Sequence, residues 1–270
     1  MAEAAPIFGT MLKQWRAHRH CSQLELAHRA GTSQRHVSFL ETGRANPSRG
    51  MVLALAQGLD VPLREQNTLL RSAGFSAAFM EGDLQADSHA LFHEALQQII
   101  AQQMPYPALV LDGRWNMVMA NPATLKFFGL FVNPLEIFAR IGNPTEFQIV
   151  RLCLHEEGLM PYIHNWEALI GSFLARARKA LLANPKHPSL PLLIDEITTH
   201  PRAPKSWQTV WSTDVRPALE MEMSRGDDHY RMFTMLAHFG SPGDVTLDEM
   251  SVELFYPADE NTRAKLIALA

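Results

Sequence analysis

The sequence predicts an α+β protein: an all-α head of five short helices, then a larger domain built on a five-stranded antiparallel sheet. Three observations point there. Apolar residues recur at helical spacing through the first 75 residues, punctuated by Gly31, Gly43, Pro47 and Gly74. Between residues 106 and 121 the pattern changes to two short β-rich runs around Asp112-Gly113. Near residue 220, Leu219, Met221 and Met223 alternate with Glu220 and Glu222, the period of a half-buried strand. With 270 residues and 47% hydrophobic content, the chain can build two cores.

Met11, Leu12 and Trp15 share one stripe of the first helix. Ser22 and Glu25 have the S-x-x-E spacing of a capping box that opens the second. Ala27 is small enough to let another helix cross closely, and Gly31 tolerates the positive φ at which a helix stops. Thr32 and Ser33 offer the next N-cap. Val37 ties the third helix to the core, leaving Gln34, Arg35, His36 and Ser38 for its outer face. Ser48 caps a fourth helix bearing Leu53, Leu55, Ala56 and Leu59, which ends near Gly58; a fifth runs from Pro62 to Ala73.

Two short helices joined at Gly31 are laid out as a helix-turn-helix, whose second helix lies in the DNA major groove. Gln34 and Arg35 begin that helix, where Gln grips adenine and Arg guanine by paired hydrogen bonds. His36 and Ser38 extend the same candidate surface, and Thr32 and Ser33 open it. Arg44 and Arg49 flank the following loop and suit phosphates, which position a protein without reading sequence. The stretch resembles the Xre-type helix-turn-helix regulators in its Gln-x-x-x-Ala-x-x-x-Gly-x-x-x-x-x-Val spacing from Gln23 to Val37 and its Glu-x-Gly-x-x-x-Pro-Ser tail from Glu41 to Ser48. That resemblance implies that Gln23 is a DNA-binding residue that braces the recognition helix against backbone or base, and that Arg16 and Glu41 form a structural ion pair. Residues 1–75 hold nine Lys/Arg and five Asp/Glu, a net of +4, whereas the rest of the chain carries −8. The basic end is where a phosphate-binding surface is needed.

Residues 76–90 lack a clear period and read as a linker, followed by a helix from about His89 to Gln103 and a second domain over 91–270. Strands are expected at Tyr106–Asp112 and Trp115–Asn121. Helices follow at Pro122–Phe128, Glu146–Leu154, Pro161–Leu182, Leu190–Thr199 and Ser206–Thr213. Strands return at Leu219–Met223, Tyr230–His238 and Val245–Leu254. Two strands, a helical middle and three strands are the order of a PAS-like domain, in which a cavity can open between sheet and helices. Joined to the N-terminal head, the run Pro107–Asn121 with Ile149-Val-Arg-Leu152 and Asn165-Trp166 resembles the MmyB-like transcription regulators. This resemblance implies a ligand-binding domain, dimeric DNA binding and a small hydrophobic effector of fatty-acid-like class. Gln148 departs from the Asn expected before the Ile-Val-Arg run.

Trp115, Met117, Met119, Phe127, Trp166, Phe173, Met221, Met223, Met232 and Phe233 are the residue types for an adaptable apolar pocket, and equally for plain core. Arg151, His155 and His164 are candidates to hold an acidic head group. No metal site is expected: His18, His20 and Cys21, and the looser group Cys153, His155, Glu156 and His164, lack structural-zinc spacing. The sequence contains no G-x-S-x-G, Walker or G-x-G-x-x-G motif, so no enzyme is expected. Cys21 and Cys153 are too few for a disulfide framework, and neither a membrane-spanning run nor a leader is legible, which points to the cytoplasm. The expected protein is a homodimeric regulator that binds double-stranded DNA at a pseudo-palindromic operator, with no cofactor beyond the effector. The rival expectations are a haem- or flavin-binding PAS-type redox sensor, or a regulator whose second domain only dimerises.

Overall fold

Five helices form where the apolar periodicity places them: α1 (Ala4–His18), α2 (Gln23–Arg29), α3 (Gln34–Glu41), α4 (Arg49–Gly58) and α5 (Leu63–Ser72). The computed structural model describes residues 4–84, 86–133, 136–137, 147–208, 220–239 and 243–270. The chain divides into two units, Met1–Glu81 with Ser241–Asp248, and Gly82–Gly240 with Glu249–Ala270.

In the first unit Phe8, Leu12, Trp15, Leu26, Val37, Leu40, Leu55, Leu59 and Leu70 are almost wholly buried in one core. Ser22, Ser33 and Ser48 each cap a helix by accepting the backbone N–H three residues on. Only half of the expected capping box closes: Glu25 turns away from the cap to pair with Arg29 at 2.6 Å. Gly9 allows α1 to cross the end of α3. A Cβ there would stand 2.5 Å from the Leu40 carbonyl oxygen and 2.7 Å from that of Glu41. The segment that follows α5 is tied back by Asn67, which accepts from the N–H groups of Ala78 and Phe79 and donates to Phe79 O.

The second unit begins with a 3₁₀ turn (Asp87–His89) and α6 (Ala90–Gln102). There follow β1 (Ala108–Leu111), β2 (Met117–Ala120), α7 (Pro122–Gly129), α8 (Ile149–Leu154), α9 (Trp166–Ala183), α10 (Leu190–Thr199), β3 (Glu220–Arg225) and β4 (Asp228–His238). The short α11 (Val245–Asp248) belongs to the first unit, and β5 (Ser251–Pro257) and α12 (Glu260–Leu269) complete the second. The sheet is antiparallel throughout, in the order β2-β1-β5-β4-β3, so the first hairpin joins the last strand at the centre. β1 is buried on both faces. Leu109 and Leu111 meet the helical middle, whereas the pleat sends Ala108 and Val110 to the face where α6 packs on β1.

Four expectations change. The strand placed at Val245–Leu254 is a helical turn followed by a strand two residues further on, because Asp244 Oδ1 accepts the Leu247 N–H and starts a turn. The helix placed at Pro161–Leu182 starts at Trp166, since Pro161 lies in a separate 3₁₀ turn (Met160–Tyr162). At Ser206–Thr213 the described part is a 3₁₀ turn (Lys205–Gln208), and the remainder lies outside the described residues, as do Glu146 and Leu219. The terminal helix α12 was not anticipated; it is capped by Asp259, which accepts from Thr262 N–H at 2.7 Å.

Candidate nucleic-acid interface and ligand domain

α3 stands on two buried residues, Val37 and Leu40, each with no exposed surface. That anchorage fixes which face is left. Gln34 and Arg35 are exposed, and His36 and Ser38 are half-buried on either side. The turn before α3 depends on Gly31 at φ +64°. Ser33 Oγ then accepts the His36 N–H at 3.2 Å, while the half-buried Thr32 donates its own N–H to Ala27 O at 2.8 Å. The capped N-terminus of α3 thus lies at the exposed Gln34, and the positive end of a helix favours an anion.

A three-residue network holds α3 against α1 and α2. Arg16 forms a two-pronged pair with Glu41, at 2.7 and 3.1 Å, and donates to Cys21 O at 2.9 Å. Gln23 Nε2 donates to the same carboxylate at 2.8 Å. The Glu41 side chain is only 3% exposed, and its hydrogen bond raises the Arg16 pKa above the ordinary arginine value against the opposing pull of burial. The expected Arg16–Glu41 pair is present, and Gln23, expected to brace the recognition helix against DNA, donates to the same carboxylate.

The two loop arginines differ. Arg44 is exposed, its guanidinium carbon 6.0 Å from the centre of the Phe39 ring. Arg49 donates to Ser76 O at 2.6 Å and to Ala77 O at 3.4 Å, so it ties the start of α4 to the chain after α5. Phe39, which the sequence reading passed over, also lies under Arg35 at 5.2 Å.

In the second unit the candidate pocket residues separate into groups. Phe127, Trp166, Phe173, Met221, Met223 and Met232 are buried members of one cluster, with Trp115 and Met117 packed against it. Phe127, Phe131 and Tyr230 fill its centre with rings 5.4 to 5.9 Å apart. Trp166 donates its indole N–H to Cys153 O at 2.8 Å. Two residues lie elsewhere. Phe233 is on the opposite face of β4 from Met232 and stacks on Tyr256 at 5.5 Å. Met119 lines a separate groove of about 390 Å³ between α6 and β2, with His93, Ile100 and Val118.

The polar candidates also part company. Arg151 and His155 line an open cleft of about 800 Å³ with Glu156, Glu157, Glu196 and His200. Arg151 is in a two-pronged pair with Glu196, at 2.7 and 2.9 Å, and His155 Nδ1 accepts the Glu157 N–H. The cleft lining therefore holds more carboxylates than guanidinium groups. His164 is exposed and bonds Ser224 on the neighbouring strand. Among the described residues no cluster of His, Cys, Asp and Glu is arranged to hold a metal.

Other residues with structural weight were not singled out. Arg176 lies 4.4 Å over the Trp115 ring and 5.3 Å over Phe173, and pairs at 3.3 Å with Glu253, which is 3% exposed on the central strand. Trp115 adopts φ +65°, in the left-handed region, at the tip of the first hairpin. Asp112 makes that tip by accepting the N–H groups of Arg114 and Asn116, both at 2.8 Å. The spacing of Arg176 from Phe173, three residues on one helix, is the one sequence signal for this cluster.

A family model described as the MmyB-like transcription regulator ligand binding domain matches residues 92–269, and a model described as helix-turn-helix matches residues 12–66. No curated relative matches the chain closely enough to add to these.

Proposed function

The chain belongs to the MmyB-like transcription regulator family, and from that premise we propose that it reads a pseudo-palindromic operator through α3, as a homodimer, under the control of a small hydrophobic effector. A helix-turn-helix joined to a ligand-binding domain is a DNA-binding transcription regulator with a ligand-binding domain. The finer reading rests above all on the outward face that begins at Gln34 and Arg35, set by the burial of Val37 and Leu40. In this reading Gln34 and Arg35 contact base edges, Ser38 and His36 flank them, and Arg44 takes a phosphate. Thr32 and Ser33 place the helix start against the backbone, and Gln23 and Arg49 hold the scaffold. On this reading the protein works in the cytoplasm of a bacterial-type cell, where its DNA lies. Among the described residues no helix is long and apolar enough to cross a membrane.

The effector is proposed to lodge among the methionines and aromatic rings between sheet and helices, where Met221, Met223 and Met232 can repack around varied shapes. It switches the operator only through unequal affinity for two dimer geometries. The dense packing of that cluster favours a second reading, in which the domain serves to dimerise and the switch lies elsewhere.

Fragments of the source genome retained by the full-length protein supply the test. Gln34→Ala with Arg35→Ala should abolish preference among them; unchanged affinity and site preference would overturn the interface. Native mass spectrometry of the purified protein should show a dimer carrying a retained lipid-like mass. Operator affinity that is the same across a panel of medium- and long-chain fatty acids would leave the dimeriser reading standing instead.

A further inference from the structure

We propose that Phe39 is a positioning residue for DNA recognition, holding Arg35 and Arg44 together on the outward side of α3. The inference rests on the interface reading above and adds a residue which that reading lacks. Phe39 is half-buried and belongs to neither hydrophobic cluster among the described residues; Val37 and Leu40 supply the inward face of α3 without it. A phenylalanine that the core does not use is left with two guanidinium groups, Arg35 at 5.2 Å and Arg44 at 6.0 Å from its ring centre.

The two arginines reach the ring by different routes. Arg35 lies one helical turn before Phe39 on the same face. Arg44 arrives from the loop, which Gly43 reverses at φ +72°. The backbone completes the hold: Phe39 O accepts the N–H groups of both Arg44, at 2.8 Å, and Ala45, at 3.2 Å. Residue 39 therefore grips Arg44 by carbonyl and ring together, and Arg35 by ring alone.

Two like charges over one ring repel each other, and the negative face of the ring offsets that repulsion. An arginine fork offers a base edge or a phosphate its paired donors in one plane, so a fork already oriented loses less freedom on binding. With Arg35 aimed at a base and Arg44 at a neighbouring phosphate, Phe39 couples sequence reading to backbone docking.

The test uses full-length protein and two duplex probes: one enriched by the wild type from a randomised pool, and one of unrelated sequence. Phe39→Leu keeps the bulk and removes the π face; Phe39→Tyr keeps the face. Phe39→Leu should weaken binding to the enriched duplex about tenfold, and Phe39→Tyr by less than about twofold. The salt slope should stay at the wild-type value, because both charges remain. In an Arg35→Ala, Arg44→Ala background, measured at low salt, Phe39→Leu should cost nothing further. Equal binding by the Leu variant and wild type overturns the proposal. So does a loss that persists without the two arginines, which would mean the ring itself meets DNA. A Phe39→Leu variant that melts with the same loss as its affinity, and that Phe39→Tyr does not rescue, overturns it too. Failure of the wild type to enrich any duplex is a separate result: it defeats the interface reading, and this proposal with it.

Discussion

Gly9 illustrates how one hydrogen atom in place of a methyl group can position a recognition helix. In an exposed helix, Gly→Ala gains about 1 kcal/mol. Here the new Cβ would meet two backbone oxygens at 2.5 and 2.7 Å, and backbone cannot swing aside as a side-chain tip can. Gly9→Ala should therefore destabilise the first unit by about 2 kcal/mol or more, seen as an earlier transition in urea; a stabilised variant would show that α1 and α3 can separate freely. Glu41 poses the complementary case. Its buried carboxylate answers both Arg16 and Gln23, so Glu41→Ala leaves a guanidinium without its partner and should cost about 3 kcal/mol. The ion pair was legible because the family spacing places Arg16 and Glu41; the role of Gly9 was not, since a close approach between helices leaves no mark on local sequence.

At the scale of elements, the joint around Asn121 carries much of the second unit. Asn121 Oδ1 caps α7 by accepting Thr124 N–H at 3.0 Å, and also accepts Ala108 N–H at 3.1 Å. Its Nδ2 donates to Ile100 O and Tyr106 O at 3.0 and 2.8 Å, which fastens the end of α6 and the approach to β1. Asn121→Asp keeps the shape but turns two donors into an acceptor facing two carbonyls. We expect a loss of about 3 kcal/mol at neutral pH, checked by chemical denaturation of the full chain; a loss under about 1 kcal/mol would mean that the joint tolerates an unpaired carbonyl pair. The α7 start at Pro122 was legible from helical periodicity, yet the network was not, because its partners lie up to 21 residues away. Gln148 shows why one departure mattered. It occupies the N-cap of α8 without capping, and its longer side chain reaches Arg114 O at 3.0 Å instead. Its Oε1 is buried without a hydrogen-bond partner among the described residues. The strand misplaced at residues 245–254 has the opposite origin: Val245 and Leu247 alternate with polar neighbours, and so do Met250, Val252 and Leu254, but the phase breaks between Leu247 and Met250, where the turn led by the Asp244 cap gives way to β5. α12 escaped notice because its apolar residues do not gather on one face, so no helical period was there to find.

The whole molecule offers a way to watch its two units separately, since each holds one of the chain's two cysteines, both buried. Burial pushes the Cys153 thiol up to about 12, and the negative charge of Glu253 adds to the effect. Burial likewise raises Cys21. A protonated, enclosed thiol is a poor nucleophile, so neither should react with an alkylating reagent at pH 8 until its own unit opens. The raised Cys153 pKa has a consequence for stability. The native thiol keeps its proton where an unfolded one, near 9, has lost it, so this contribution is complete below about pH 9 and disappears as pH climbs toward 12. Pulse alkylation along a urea gradient, with the two peptides resolved by mass, then yields a midpoint for each unit. A duplex that binds α3 stabilises only the state it binds, so saturating DNA should move the Cys21 midpoint upward and leave that of Cys153 in place. An effector should do the reverse, moving Cys153 first. The regulatory link is measured by the remaining arm: with DNA present, an effector that acts through the dimer must also shift Cys21, by the same free energy with which DNA shifts effector affinity. Midpoints that move together under every condition would show the two units unfolding as one. A Cys21 midpoint blind to every ligand of the second unit would confine the C-terminal domain to assembly.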